Sequence, residues 1–144
     1  MQTLSSYLTQ DHRHCDDGFV DAERLVAERR WPEAEGSLSA FVADMRRHFA
    51  REEELLFPAF EAATGMTSGP TVVMRIEHRQ IEQLMQSLQD ALGRRDREEY
   101  LGVSETLLML LQQHNAKEEN ILYPLADRSL GDAGTGLIQR MQAM

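Results

Sequence analysis

Two stretches decide the fold: Glu52-Glu53-Glu54-Leu55-Leu56-Phe57-Pro58 and Glu118-Glu119-Asn120-Ile121-Leu122-Tyr123-Pro124 match at an offset of 66 residues. The same offset carries His48 onto His114, Asp11-His12-Arg13 onto Glu77-His78-Arg79, and Asp16 onto Glu82. It also carries Leu8, Cys15 and Phe19 onto Met74, Ile81 and Met85, so the two halves read as copies of one unit. Each half supplies one histidine and then a His-x-x-x-Glu pair.

Working outward, the punctuation separates four long helical stretches, near 3–29, 33–63, 70–93 and 97–128. Trp31-Pro32 marks the first joint, with Pro32 suited to the first turn of the next helix. Thr64 through Pro70 marks the second, and Gly93 through Asp96 the third. Leu8, His12, Cys15, Phe19, Ala22 and Val26 recur at steps of four and three, which is the inward stripe of a bundle helix. Leu38, Phe41, Met45, His48, Glu52 and Leu55 form the second stripe, and Met74, His78, Ile81, Met85, Leu88 and Leu92 the third. Leu107, Leu111, His114, Glu118, Ile121 and Leu125 form the fourth. The expected fold is all-α: an antiparallel up-down-up-down four-helix bundle built from an internal two-helix repeat. The bundle core spans about 4–128 of a single domain covering 1–144. The tail, 129–144, opens with glycines and adds a short C-terminal helix from about 135.

Polar residues on all four apolar stripes need an explanation. Carboxylates left unpaired on a packed seam cost several kcal/mol each or are forced to protonate, and bound cations remove that penalty. A spacing of four puts His48 and Glu52, and likewise His114 and Glu118, on one helix face a turn apart. Two halves related by a pseudo-twofold bring His12, His48, Glu52, His78, His114 and Glu118 to one place, the expected metal ligands. Two divalent ions bridged by Glu52 and Glu118 satisfy that set. Nitrogen and carboxylate donors suit iron, manganese or zinc, and two ions sharing carboxylates point to iron.

His14 lies two residues from His12 and points away from the seam. Cys15 faces inward, but its counterpart is Ile81, which favours core packing over metal contact. Asp16 and Glu82 repeat the ligand spacing after His12 and His78; an exposed acidic residue accounts for both, with Glu82 kept as a candidate extra ligand. Glu53 and Glu119 flank the ligands and are placed to face solvent, pair with arginines or hold an imidazole N–H.

Bulk properties exclude other classes. The chain has 144 residues, enough for one domain of ordinary size, and a formal charge of −9 with no basic cluster to track phosphates, so nucleic acid is not an expected partner. No apolar run approaches the roughly 20 residues of a membrane span, and the first residues lack the pattern of a signal peptide, so the expected location is the cytoplasm. A single cysteine excludes an intrachain disulfide and a cysteine-built metal site. Ferritin-like bundles use Glu-x-x-His, which does not occur here.

The pattern His12, His48-x-x-x-Glu52, His78, His114-x-x-x-Glu118, with its LFP and LYP endings, resembles the hemerythrin-like His-His-Glu cation-binding domain over residues 4–128. The resemblance implies a non-haem di-iron centre bridged by carboxylates and an oxo or hydroxo group. Oxygen-carrying hemerythrins have His-x-x-x-His on the third helix, where this chain has Glu82, and place the last acidic ligand five residues after its histidine, here four. The chain is therefore similar to the bacterial stress-response branch. Members of that branch tied to iron–sulfur repair and nitric oxide carry a further N-terminal cysteine-containing region, absent from these 144 residues, so repair activity is not an expectation. The expected function is binding or sensing of a small diatomic gas, O2 or NO, or of iron, in a stress or iron-homeostasis role. The alternatives are a di-iron enzyme reducing nitric oxide or peroxide and, with the buried glutamates against it, a metal-free helical interaction module.

Overall fold

In the computed structural model, which describes residues 2–144, the described chain is helical from end to end with no strand. Helix α1 is Leu4–Ala27, α2 Trp31–Ala50, α3 Phe57–Thr64, α4 Pro70–Gly93, α5 Arg97–Lys117, α6 Tyr123–Leu130 and α7 Ala133–Gln142. The boundaries follow local chemistry. Thr3 caps α1, its hydroxyl accepting from the Ser6 amide while the Ser6 hydroxyl accepts from the Thr3 amide. Pro32 sits in the first turn of α2 and Pro70 in that of α4, where a missing N–H costs nothing. Asp96 caps α5 through the Glu99 amide. Gly65 ends α3 in the left-handed region, φ 73°, which a glycine adopts without a Cβ penalty.

Helices α1, α2, α4 and α5 form the bundle, α1 packing against α2 and α5 while α4 packs against α5 and α2. The last helix starts at Ala133, slightly earlier than the sequence suggests, and folds back on α1 and α6. None of the described helices is long and apolar enough to cross a membrane.

The expected 33–63 and 97–128 helices are each interrupted by a wider, π-type turn, Arg51–Leu56 between α2 and α3 and Glu118–Leu122 between α5 and α6. The Phe57 and Tyr123 amides bond back five residues to the carbonyls of Glu52 and Glu118. Pro58 and Pro124, one residue further on, have no N–H for an ordinary helical bond, which favours the wider turn. The turn shifts the phase of the inward stripe. Ile121 is therefore 54% exposed rather than in the core, and Leu122, Tyr123 and Ala126 are buried in its place.

Buried apolar side chains fall into two clusters. One holds Cys15, Phe19, Phe41, Met45, Phe49, Ile81, Met85 and Leu111. The other, toward α3, α6 and α7, holds Leu4, Leu8, Leu56, Phe57, Phe60, Met74 and Tyr123. The six expected ligands belong to neither and occupy the layer between them.

Candidate metal centre

Each helix of the bundle contributes one histidine to this layer: His12 from α1, His48 from α2, His78 from α4 and His114 from α5. Glu52 and Glu118 enter at or beside the start of the two π turns. All six are buried, both glutamates completely.

Four carboxylates orient the four rings. The Nδ1–H of His12 donates to Glu119 at 2.7 Å, that of His78 to Glu53 at 2.7 Å, that of His48 to Asp11 at 2.8 Å and that of His114 to Glu77 at 2.8 Å. With Nδ1 committed outward, every Nε2 points inward, where the neutral ring would offer its lone pair to a cation. The 66-residue offset maps these contacts onto one another in pairs, so the repeat extends to the groups behind the four histidines. Arg51 braces Asp11, and Lys117 braces Glu77.

The inward atoms converge. His12, His48, Glu52 and Glu118 each offer a ligand atom within 4.8 Å of the others, and so do Glu52, His78, His114 and Glu118. Two sets of four thus share both glutamates. Five of these buried atoms, Nε2 of His48, His78 and His114, Oε1 of Glu52 and Oε2 of Glu118, have no hydrogen-bond partner. His78 Nε2 stands 3.1 Å and His48 Nε2 3.3 Å from Glu52 Oε1, where an acceptor faces an acceptor unless a proton or a cation lies between them. A buried polar atom left unpaired costs about 1–3 kcal/mol, so five in one layer is an arrangement that a cation, not a neighbouring side chain, satisfies. The donor set fits non-haem iron: neutral imidazoles and shared carboxylates, with no thiolate among them.

A family profile, described as the hemerythrin HHE cation-binding domain, matches residues 3–126. The chain belongs to this family. Among curated proteins it is similar to the iron–sulfur cluster repair protein YtfE of Yersinia pseudotuberculosis serotype IB (strain PB1/+), 35% identical over 101 residues, or 63% of this chain and 45% of that protein. The YtfE protein of Yersinia pestis (strain Pestoides F) is 33% identical over the same length and shares. The matches thus span less than half the length of these relatives. No solved structure matches the chain significantly.

Electrostatics in this hemerythrin-type centre show what the metal-free protein must do instead. Burial alone would lower the pKa of His78, but the carboxylates of Glu52 and Glu53 and the charge of Glu118 outweigh it and lift it to about 9. His48 and His114 are raised in the same way, against their burial, by Glu52 and Asp11 for the first and by Glu118 for the second. Burial and the charge of Glu118 raise Glu52. Protons stand in where cations would.

The remaining sequence candidates lie elsewhere. Glu82 accepts from Arg46 on the surface and Asp16 is exposed, so neither reaches the centre. His14 pairs with Asp44 in solvent. Cys15 packs into the apolar cluster, and burial raises its thiol pKa far above the ordinary value, so it is an inert core residue.

Sequence reasoning missed three participants. Asp11 and Glu77 hold His48 and His114, and their only signal was an acidic residue preceding the histidine in both halves. The third is Tyr123, whose hydroxyl donates to Glu52 Oε2 at 2.7 Å and lies 3.0 Å from Glu118 Oε1 and 3.1 Å from His12 Nε2. Its repeat counterpart is Phe57. Around His78 the surroundings are aromatic instead: Phe49 stacks on its ring at 3.9 Å and Phe57 at 5.7 Å between centroids. An open groove of about 350 Å³, lined in part by Phe49, Glu53, His78 and Glu82, leads from the surface to this half.

Proposed function

We propose that this chain is a non-haem di-iron protein that binds or senses a small diatomic gas, O2 or NO, or iron itself, in a stress or iron-homeostasis role. The observation that carries the reading is the convergence of unpaired buried Nε2 and carboxylate atoms in two sets that share Glu52 and Glu118. One position would be held by His12 and His48, the other by His78 and His114, with both glutamates common to the two and the 144 residues acting as one domain. Bound iron supplies Lewis acidity and reversible one-electron change at an enclosed site. The chain's own residues orient the imidazoles and exclude bulk water.

Binding is favoured over turnover by the side-chain inventory. The histidines and acids of the layer are either aimed at the ion positions or committed to an imidazole N–H, which leaves none of them free as a separate general acid or base. The aromatic wall at His78 suits a small, weakly polar ligand. The names of the repair proteins matched above agree with a role in iron chemistry under stress, over the part of those proteins that this chain resembles.

The reading is tested by adding O2, NO and peroxide separately to the reduced, iron-loaded protein while following optical spectra. A stable adduct reversed by removing the gas is the expected result. Repeated consumption of NO or peroxide in the presence of a reductant would replace binding by the enzymatic alternative.

A further inference from the structure

We propose that Tyr123 is itself a ligand, its phenol oxygen completing the coordination of the ion held by His12 and His48 and making the two metal positions chemically unequal. The inference rests on the di-iron reading above and extends it to a residue outside the His-His-Glu pattern.

Donor atoms sharing an octahedral ion with bonds of about 2.1 Å are separated from their neighbours by about 3.0 Å, the edge of the octahedron. Tyr123 Oη stands 2.7, 3.0 and 3.1 Å from Glu52 Oε2, Glu118 Oε1 and His12 Nε2. His12 Nε2 and Glu118 Oε1 are in turn 2.9 Å apart. The phenol oxygen therefore sits with respect to three ligand residues as a fourth donor would. A tyrosine that merely packed would need one hydrogen-bond acceptor; this one touches three, and it is completely buried.

The repeat supplies an internal control. At the equivalent place in the other half the residue is Phe57, buried against His78 with no oxygen to offer. Every other ligand in the layer is matched between halves, so the Phe57/Tyr123 difference is what sets the two positions apart. The His12–His48 position gains an oxygen donor. The His78–His114 position, walled by Phe49 and Phe57, keeps a place for an external small ligand. On ligation the phenol O–H bond breaks, its proton passes to water, and an iron–oxygen bond forms with no change in oxidation state.

Phenolate bound to iron(III) gives a visible charge-transfer band and, on excitation into it, enhanced tyrosinate vibrations in the Raman spectrum. The chain has three tyrosines, Tyr7, Tyr100 and Tyr123. Ferric wild-type protein is expected to show the band and the vibrations. Tyr123→Phe should lose both from whatever iron it still binds, with the signals normalised to bound iron, and Tyr7→Phe and Tyr100→Phe should keep both. Ring-deuterated tyrosine shifts the vibrations in the wild type, which decides the presence of a tyrosine ligand even if Tyr123→Phe fails to fold. Iron taken up at the wild-type level without tyrosinate vibrations, or with vibrations that survive Tyr123→Phe, overturns the ligation alone. A protein that takes up no iron overturns the proposed function and this inference together.

Discussion

Replacing Glu77 by glutamine should weaken metal binding far more than the same change at Glu53, although each carboxylate accepts an imidazole N–H at nearly the same distance, 2.8 and 2.7 Å. The difference lies in solvent. The Glu77 side chain is 11% exposed and that of Glu53 is 42% exposed. A hydrogen bond to a charged acceptor away from water is worth about 1.5–3 kcal/mol, and each 1.4 kcal/mol is about tenfold in affinity. The expected loss for Glu77→Gln is therefore about 10–100-fold, in keeping with carboxylates that sit behind ligating histidines elsewhere. An exposed pair contributes at most about 1 kcal/mol, so Glu53→Gln should cost no more than about fivefold. The other partner of Glu77, Lys117, is 46% exposed and rehydrates when left alone, so it adds little to the loss. Titration against a competing chelator of known affinity at fixed pH measures both variants, with circular dichroism to check the fold. Equal losses, or a larger loss at Glu53, would refute the idea that burial of the outer carboxylate sets how firmly its imidazole is held.

Acidity provides further tests. In the metal-free protein the pKa of His78 is about 9 and those of His48 and His114 are raised, so their contribution to stability is fully present below the unfolded value near 6.5 and is lost as pH rises through the folded values. Thermal denaturation of the metal-free form should therefore show a falling midpoint between pH 6 and 10, the His78 share being on the order of 3 kcal/mol; a midpoint that rises over this range would contradict it. Metal loading has the opposite sign, because ligating imidazole is neutral. Loading near pH 7 should release protons, seen calorimetrically as a heat that depends on the buffer, and a heat independent of the buffer would count against ligation by these histidines. Gly36 and Gly102 lie within helices with open space where a Cβ would stand, so alanine at either should stabilise the fold by about 0.5–1 kcal/mol, read from chemical denaturation.

The fold was legible because the stripes on α1 and α4 follow ordinary helical periodicity without interruption and that on α2 does so as far as His48, and every residue named on these three is buried. The fourth stripe misled at Ile121 because the π turn at Glu118–Leu122 adds to the turn, and a reading at 3.6 residues per turn carries no sign of it. The six residues of the central layer stood out because they are polar, inward and duplicated. Asp11, Glu77 and Tyr123 did not, for a different reason. Each acts across helices, and what brings Asp11 to His48 or Tyr123 to Glu52 is the packing of one helix on another rather than any spacing along the chain. Tyr123 was further hidden by its partner Phe57, since an aromatic in both halves reads as packing.

The central claim, that His12, His48, Glu52, His78, His114 and Glu118 hold a pair of iron ions, is tested most directly by the iron content of protein loaded without oxygen and then desalted. The account predicts about two ions per chain, most of them lost in His48→Ala and in Glu118→Ala, where both positions lose a shared carboxylate. Protein that emerges without iron from an iron-replete preparation, or a Glu118→Ala variant that retains its full complement, would contradict it.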